Sequence, residues 1–414
     1  MQLQSADDYI EDDTPGSFRR SLGVAVLAIG SFLVGSMLTV IIPILPNIAR
    51  DMAGANAAYS IQILIAVPML GLVLGGLLST MIFAHVAPRN VFIGALLLYG
   101  VIGALGAVAD MPVLIGSRLL MGMISACMGA ASTALVGERV APSRRPRVLG
   151  WATAGSSALG IIAMIVSGGV ADHIGWRSSF LIFPVIAAAM LLLVLTCTSA
   201  SKPRAAATAT QSMSRWNALV ALWPLFLFVV LINITAFTTN SQSTFVLADS
   251  GIASAAGRAK FMGLNQAMLV VAAFCFPFVR KLVGARLVPA LILLVMGSGL
   301  LLLGTAQGIG GIALALGILG AGNGLLFPYQ GSLLLQRAAP AVRGAAAGLV
   351  VSCQFIADAI NPLVLGPVIL VFGLRNTIAF IGLLALVACA GAVVVGLRYL
   401  SNAEPRADQQ PAHG

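Results

Sequence analysis

Apolar residues run along this chain in long, nearly unbroken blocks, each closed by a few polar residues, Gly or Pro, rather than alternating with a polar face. A helix needs roughly 20 such residues to cross about 30 Å of hydrocarbon. By that length the pattern predicts membrane helices at 21–48, 58–84, 91–109, 112–136, 148–170, 178–198, 217–243, 258–280, 287–306, 309–335, 344–369 and 374–399. Strands are excluded, because backbone groups in lipid must be satisfied internally and a barrel strand spans only about 10 residues. The polar stretch SASKPRAAATATQSMSRWN divides the blocks into six and six. The expected organisation is a tail at 1–20, a first bundle at 21–198, a linker at 199–216, a second bundle at 217–400 and a tail at 401–414.

Composition agrees: 59% of the 414 residues are hydrophobic and 9% charged, a balance foreign to soluble domains. The formal charge of +10 invites a nucleic-acid reading, but its placement argues against one. With the amino terminus inside, most of the 23 Lys and Arg, among them Arg89, Arg139, Arg145, Lys202, Arg286, Arg337 and Arg343, fall on one side. Only Arg50, Arg177, Arg258, Lys260 and Arg375 fall opposite. The positive-inside rule then puts both termini in the cytoplasm of a multi-pass protein of the inner, cytoplasmic membrane. The start of the chain carries Asp7, Asp8, Glu11, Asp12 and Asp13 and lacks the basic region of a cleaved signal peptide. The five cysteines have no CxxC spacing and the three histidines do not cluster, so neither disulfides nor a metal site is expected. Glycine runs such as Gly71 to Gly76 lack phosphate-loop spacing and a following lysine, so no nucleotide or other cofactor is expected.

The chain repeats itself. ERVAPSRRPRVLG, starting at Glu138, returns as QRAAPAVRGAAAG, starting at Gln336. Arg139, Arg145 and Gly150 recur as Arg337, Arg343 and Gly348, and the same offset pairs Gly122 with Gly320. A parallel repeat of six-helix halves is a hallmark of one large class of secondary transporter.

Three further stretches carry a resemblance. LIGSRLLMGM places Gly122 four residues after Arg118; GGVADHIGWRSSF holds Gly168, Gly169, Gly175, Trp176, Arg177 and Phe180; GILGAGNGLLFP ends in Phe327 and Pro328. In order and spacing they resemble the major facilitator superfamily, and within it the twelve-helix drug and metabolite:proton antiporters, over about residues 20 to 400. The resemblance implies an all-α membrane fold of two six-helix bundles, with Arg89, Gly122, Gly160, Gly168, Gly169 and Arg286 at gating or motif positions. Two motifs depart from the family. In TMIFAHVAPRN, Ala84 stands where a latch aspartate is expected and only Arg89 survives of the basic set. Met164 and Ile165 replace the Gly-Pro usual in helix five of proton antiporters.

All but one of the 13 carboxylates fall in tails, loops or helix ends. The exception, Asp358, sits near the middle of helix eleven, with Gln354 and Asn361 on the same face at spacings of four and three. Little water reaches a carboxylate at that depth, so its protonation can respond to a proton gradient; a purely structural carboxylate is the alternative. Arg118 is the one basic residue well inside a helix, read as a coupling charge, a substrate or anion contact, or an anchor. Neither charge repeats: the offset carries Asp358 to Gly160 and Arg118 to Leu316. Ser36, Asn233, Asn265, Gln266 and Asn323 join Gln354 and Asn361 as candidates for a hydrogen-bonding substrate cavity. Interhelical packing is the competing account of each. The run from Asn233 to Thr244 is dense in Asn, Thr, Ser and Gln, which predicts that the outer half of helix seven is irregular or lines water.

These residues support a secondary transporter that exports a small amphipathic compound in exchange for protons by alternating access. Asp358 and Arg118 carry the coupling, the bilayer, protons and substrate are the partners, and one chain suffices. The alternative is a proton symporter or facilitator importing a metabolite. A non-transporting receptor and a membrane enzyme are disfavoured by the short loops and the missing catalytic set.

Overall fold

The computed structural model describes residues 30, 32–52, 57–83, 85–140, 145–197, 213–339 and 342–401. Both tails, most of the 199–216 linker, Ala84, and Ala141 to Arg144 of the repeated loop lie outside the described residues.

Among the described residues there are no strands, and twelve helices are long and apolar enough to cross a membrane. They are α1 (Leu33–Asp51), α2 (Tyr59–Phe83), α3 (Pro88–Ala107), α4 (Met111–Val136), α5 (Gly155–Ile174), α6 (Trp176–Thr196), α7 (Trp223–Asp249), α8 (Ala255–Val283), α9 (Val288–Thr305), α10 (Ile309–Arg337), α11 (Ala345–Phe372) and α12 (Leu374–Val394). They correspond one to one with the twelve predicted blocks. The helix predicted from residue 21 is described only from Phe32. The expected irregularity in α7 is not found: the helix is continuous through Asp249, and Thr238, Thr239 and Ser241 to Thr244 are buried. Packing against neighbouring helices accommodates their polarity without unwinding the backbone.

Contacts gather the chain into two compact units. The first takes the chain up to Gly263 together with Gly344–Pro367, and so holds α1 to α7, the start of α8 and most of α11. The second takes Leu264–Arg343 and the chain from Val368.

Glycine sets the closest helix approaches. In the first unit Gly122 of α4 lies against the Pro68 carbonyl and Gly71 of α2, with Gly75 against Met123 one turn along. In the second, Gly320 of α10 lies against the Asn265 carbonyl of α8 and Gly324 against that of Leu269. The pair Gly122 and Gly320, matched by sequence offset, thus performs one job in both halves: removing a Cβ so that backbones can touch.

A second repeat appears at the turns. Gly175 and Gly373 both adopt positive φ, +103° and +81°, a backbone conformation suited to glycine, and both stop a helix. Two residues later Arg177 donates to the carbonyl of Ala109 at 3.1 Å, and Arg375 donates to that of Ala306 at 2.5 Å. Each arginine therefore ties the turn that follows its glycine to a turn elsewhere in its own unit. Trp176 completes the first copy: its Nε1 donates to Asp51 at 3.0 Å, and the Arg177 guanidinium lies 4.6 Å from its ring centroid.

Candidate functional site

Three polar groupings lie inside the first unit. The first surrounds Arg118. Gly103 and Gly106 of α3 leave room for the rings of Phe183 and Phe180, which a Cβ at either glycine would strike. Those rings flank the guanidinium, their centroids 5.2 and 5.1 Å from its central carbon. Tyr99 meets Phe183 edge-on at 5.6 Å, and its hydroxyl lies 2.6 Å from that of Ser36, which also donates to Leu33 at 3.0 Å. Arg118 is fully buried, and none of its three nitrogens has a hydrogen-bond partner among the described residues. Ring faces contribute about 2 kcal/mol each to a desolvated cation, against a desolvation cost of several kcal/mol for the ion. The five N–H groups remain without lone pairs to meet them.

The second grouping joins α7, α11 and α2. Asn361 donates through Nδ2 to the Ile234 carbonyl at 2.6 Å and to the Thr238 hydroxyl at 2.8 Å, and its Oδ1 accepts from Ser241 at 2.8 Å. Gln242 then donates to Ser241 at 3.3 Å and to Gln62 Oε1 on α2 at 3.1 Å. The chain of bonds carries no charge. It satisfies Asn361, but leaves Thr239, Ser243 and Thr244 hydroxyls and Gln242 Oε1 buried without partners among the described residues. Asp358, three residues before Asn361, is half-buried and has no hydrogen-bond or ion-pair partner among the described residues. Gln354, one turn earlier, is likewise half-buried. Asp358 and Arg118 form no ion pair with each other. A small apolar pocket lies between α1, α2 and α7, lined by Met37, Ile41, Leu64, Pro68, Phe237 and Asn240 among others.

The third grouping joins the end of α5 to the start of α8. The Asp172 carboxylate accepts hydrogen bonds from the backbone N–H of Ala255 at 2.7 Å, that of Ala256 at 2.9 Å and the Ser254 hydroxyl at 2.7 Å. These are donors that α8 cannot satisfy for itself, and the anion also complements the positive end of the helix. Ser254 Oγ in turn accepts from Gly257 at 2.9 Å. Gly168, one turn before Asp172, makes this approach possible: a Cβ there would sit 2.7 Å from the Ala255 carbonyl oxygen. Beside it Arg258 is fully buried and hydrogen-bonded through all three of its nitrogens. It donates to the carbonyls of Pro43 and Ile252, both at 3.0 Å, to that of Ala253 at 2.7 Å, and to the Asn47 side chain. Pro43 and Pro46 break α1 into a short 3-10 turn at Ile42–Ile44, which leaves carbonyls outside the regular ladder for this arginine to meet.

Other sequence candidates sit apart from these groupings. Asn233 is buried but donates to Val229 of its own helix at 2.7 Å. In the second unit Asn265 is buried and donates to the Leu316 carbonyl at 2.8 Å, Asn323 is buried, and Gln266 is half-buried on α8. Of the gating residues, Gly122 and Gly168 are close-packing sites, Gly160 is buried with Thr39 of α1 as its neighbour, and Gly169 faces open space. Arg89 is half-buried in the first turn of α3, and Arg286 is exposed in the turn between α8 and α9. Sequence reasoning passed over Gln62, Tyr99, Phe183, Ser254 and Arg258. Gln62 and Tyr99 did carry a signal, each being an isolated polar group within an apolar block.

No curated protein matches the chain in sequence. Among solved structures it resembles the nucleoside transporter NupG, with a TM-score of 0.68 at 16% identity, covering 93% of this chain and 99% of that one. It also resembles a bacterial homolog of the human lysosomal transporter Spinster in an inward-facing, occupied conformation, with a TM-score of 0.77 at 14% identity over 94% and 98%. A POT family transporter in complex with 5-aminolevulinic acid gives 0.70 at 14% over 92% and 96%. At these identities the likeness concerns the fold. Residues 27–362 match the family model of the Major Facilitator Superfamily, and with that match, the twelve helices and the repeated halves, the chain belongs to this superfamily of membrane transporters.

Proposed function

We propose that the protein exports a small amphipathic organic compound in exchange for protons, by alternating access between bundles at 21–198 and 217–400. The observation that carries this reading is Asp358, a half-buried carboxylate on a membrane helix with no partner among the described residues. It adjoins the uncharged hydrogen-bond chain from Ile234 to Gln62. A carboxylate held in that setting binds and releases protons as its water access changes. Arg118 is the complementary charge, contributed by the other half of the repeat. Gln354 and Asn361, with Ser36, Asn233, Asn265, Gln266 and Asn323, supply hydrogen-bonding groups for a substrate. On the charge distribution both termini are cytoplasmic; the membrane is the inner membrane, and the monomer, whose one chain encloses the pathway, is the working unit. The test is proton-driven flux in proteoliposomes, which Asp358→Asn abolishes on this reading.

Import by proton symport or facilitated diffusion is the second reading. It is favoured by Met164 and Ile165, which stand in α5 where antiporters of the resembling group carry Gly-Pro. Imposing the proton gradient in each direction, and measuring on which side substrate accumulates, separates the two.

A further inference from the structure

We infer that Arg118 is the anchor for an anionic group of the transported compound, specifically a monocarboxylate on an apolar or aromatic body; this rests on the transporter reading and narrows its substrate class. The surroundings of Arg118 are rich in donors and poor in acceptors. Its guanidinium offers N–H groups along its planar edges, and all three nitrogens are buried without a partner among the described residues. Ser125 lies seven residues along α4 and therefore on the same helix face, and its buried hydroxyl is also without a partner among the described residues.

None of the described carboxylates pairs with Arg118, Asp358 included. Asp51 accepts from Trp176 and Asp172 caps α8, while Asp110 stands at the start of α4, about two helical turns from Arg118. Phe180 and Phe183 support the positive charge with their faces, but ring faces are poor acceptors for N–H groups pointing along the guanidinium plane. The missing component is thus a set of oxygen acceptors bearing negative charge. A carboxylate matches a guanidinium edge with two parallel bonds. One arginine compensates one negative charge, which favours a monoanion over a phosphate dianion. The aromatic rings and Met121, buried one turn along α4, favour an apolar body behind the carboxylate.

The test uses full-length protein purified in detergent, with sodium benzoate as the probe, benzamide as its uncharged isostere and sodium chloride at equal ionic strength as the control. Benzoate is expected to raise the melting temperature of the wild type saturably, by about 2 °C or more, because a ligand that binds the native state stabilises it. Benzamide is expected to do nothing, and Arg118→Met to lose the benzoate shift. Arg118→Lys keeps the charge without the planar fork, and should retain a shift weaker than the wild type's; it decides the matter if the methionine variant does not fold. A benzoate shift that is absent in the wild type, matched by benzamide, or unchanged in the Arg118 variants overturns the assignment. The outcome is separable from the transport reading: an Arg118-dependent shift without proton-driven flux removes export and keeps the anion site, whereas coupled flux of a neutral compound with no benzoate response does the reverse.

Discussion

The carboxylate of Asp172, at the end of α5, accepts a 2.7 Å hydrogen bond from the backbone N–H of Ala255, the first residue of α8. With the bonds from Ala256 and Ser254, one side chain thereby caps a helix from a different part of the chain. Asp172→Ala removes the acceptors, and Asp172→Asn keeps the shape without the charge. Since the site is exposed, alanine should cost about 1 kcal/mol rather than the larger sum of three buried bonds. In a transporter this contact is one that must break for the α5 and α8 ends to part. The expected result is a lower melting temperature and several-fold faster labelling of Gly169→Cys by an impermeant maleimide, in a background lacking Cys275, with asparagine between alanine and wild type. Unchanged labelling in Asp172→Ala would remove this contact from gating.

Neighbouring glycines give a sharp contrast. A methyl on Gly168 would meet backbone atoms of Ala255 and Ala256 at 2.7 to 2.8 Å, whereas one on Gly169 meets nothing within 4 Å. Gly168→Ala should destabilise by about 1–3 kcal/mol through forced separation of α5 and α8. Gly169→Ala should stay within about 0.5 kcal/mol of the wild type. Thermal unfolding of the two variants side by side checks this, and equal behaviour would contradict the packing.

Asn361 links α11 to α7 through three bonds. Asn361→Ala leaves the Thr238 and Ser241 hydroxyls and the Ile234 carbonyl to find other partners, and should cost about 1–3 kcal/mol. Ser241→Ala should cost less, and the double variant less than the sum, because the two side chains share one bond. A double-variant thermal-unfolding cycle measures that coupling; strict additivity would show that the bond is not formed.

Arg177 and Arg375 tie equivalent turns in the two units. Each alanine substitution should lower thermal stability, and the losses should add in the double variant, since the two arginines share no partner. Loss from only one of them would break the structural equivalence of the repeat.

The twelve helices were readable because a bilayer demands one signal, length of apolar sequence, and α1 to α12 supply it. Gly122 and Gly320 were readable for a related reason: an offset that preserves glycine preserves a close approach. Partners were not readable. Helical spacing places Asn361 on the face of Asp358, but says nothing about Ser241 lying opposite it. Arg258 read only as a basic residue opposite the cytoplasmic side, because only the folded chain brings it to the Pro43 carbonyl. Asp172 read as a helix-end acid for the same reason, since its donors are more than 80 residues away in sequence. Of the two readings of the polar run in α7, irregular backbone or a water-lined face, the first fails because the helix is continuous, its buried contacts with α2 and α11 coming from chain segments far from it in sequence.

On the proposed mechanism Asp358 carries the proton that drives transport. The most direct test of that role reconstitutes wild type and Asp358→Asn in liposomes, imposes a proton gradient, and follows substrate accumulation beside substrate exchange at equal pH. Gradient-driven accumulation is expected to fall at least tenfold in Asp358→Asn while exchange without a gradient persists, because asparagine keeps the shape and loses the titrating group. Undiminished gradient-driven accumulation in that variant would contradict that mechanism.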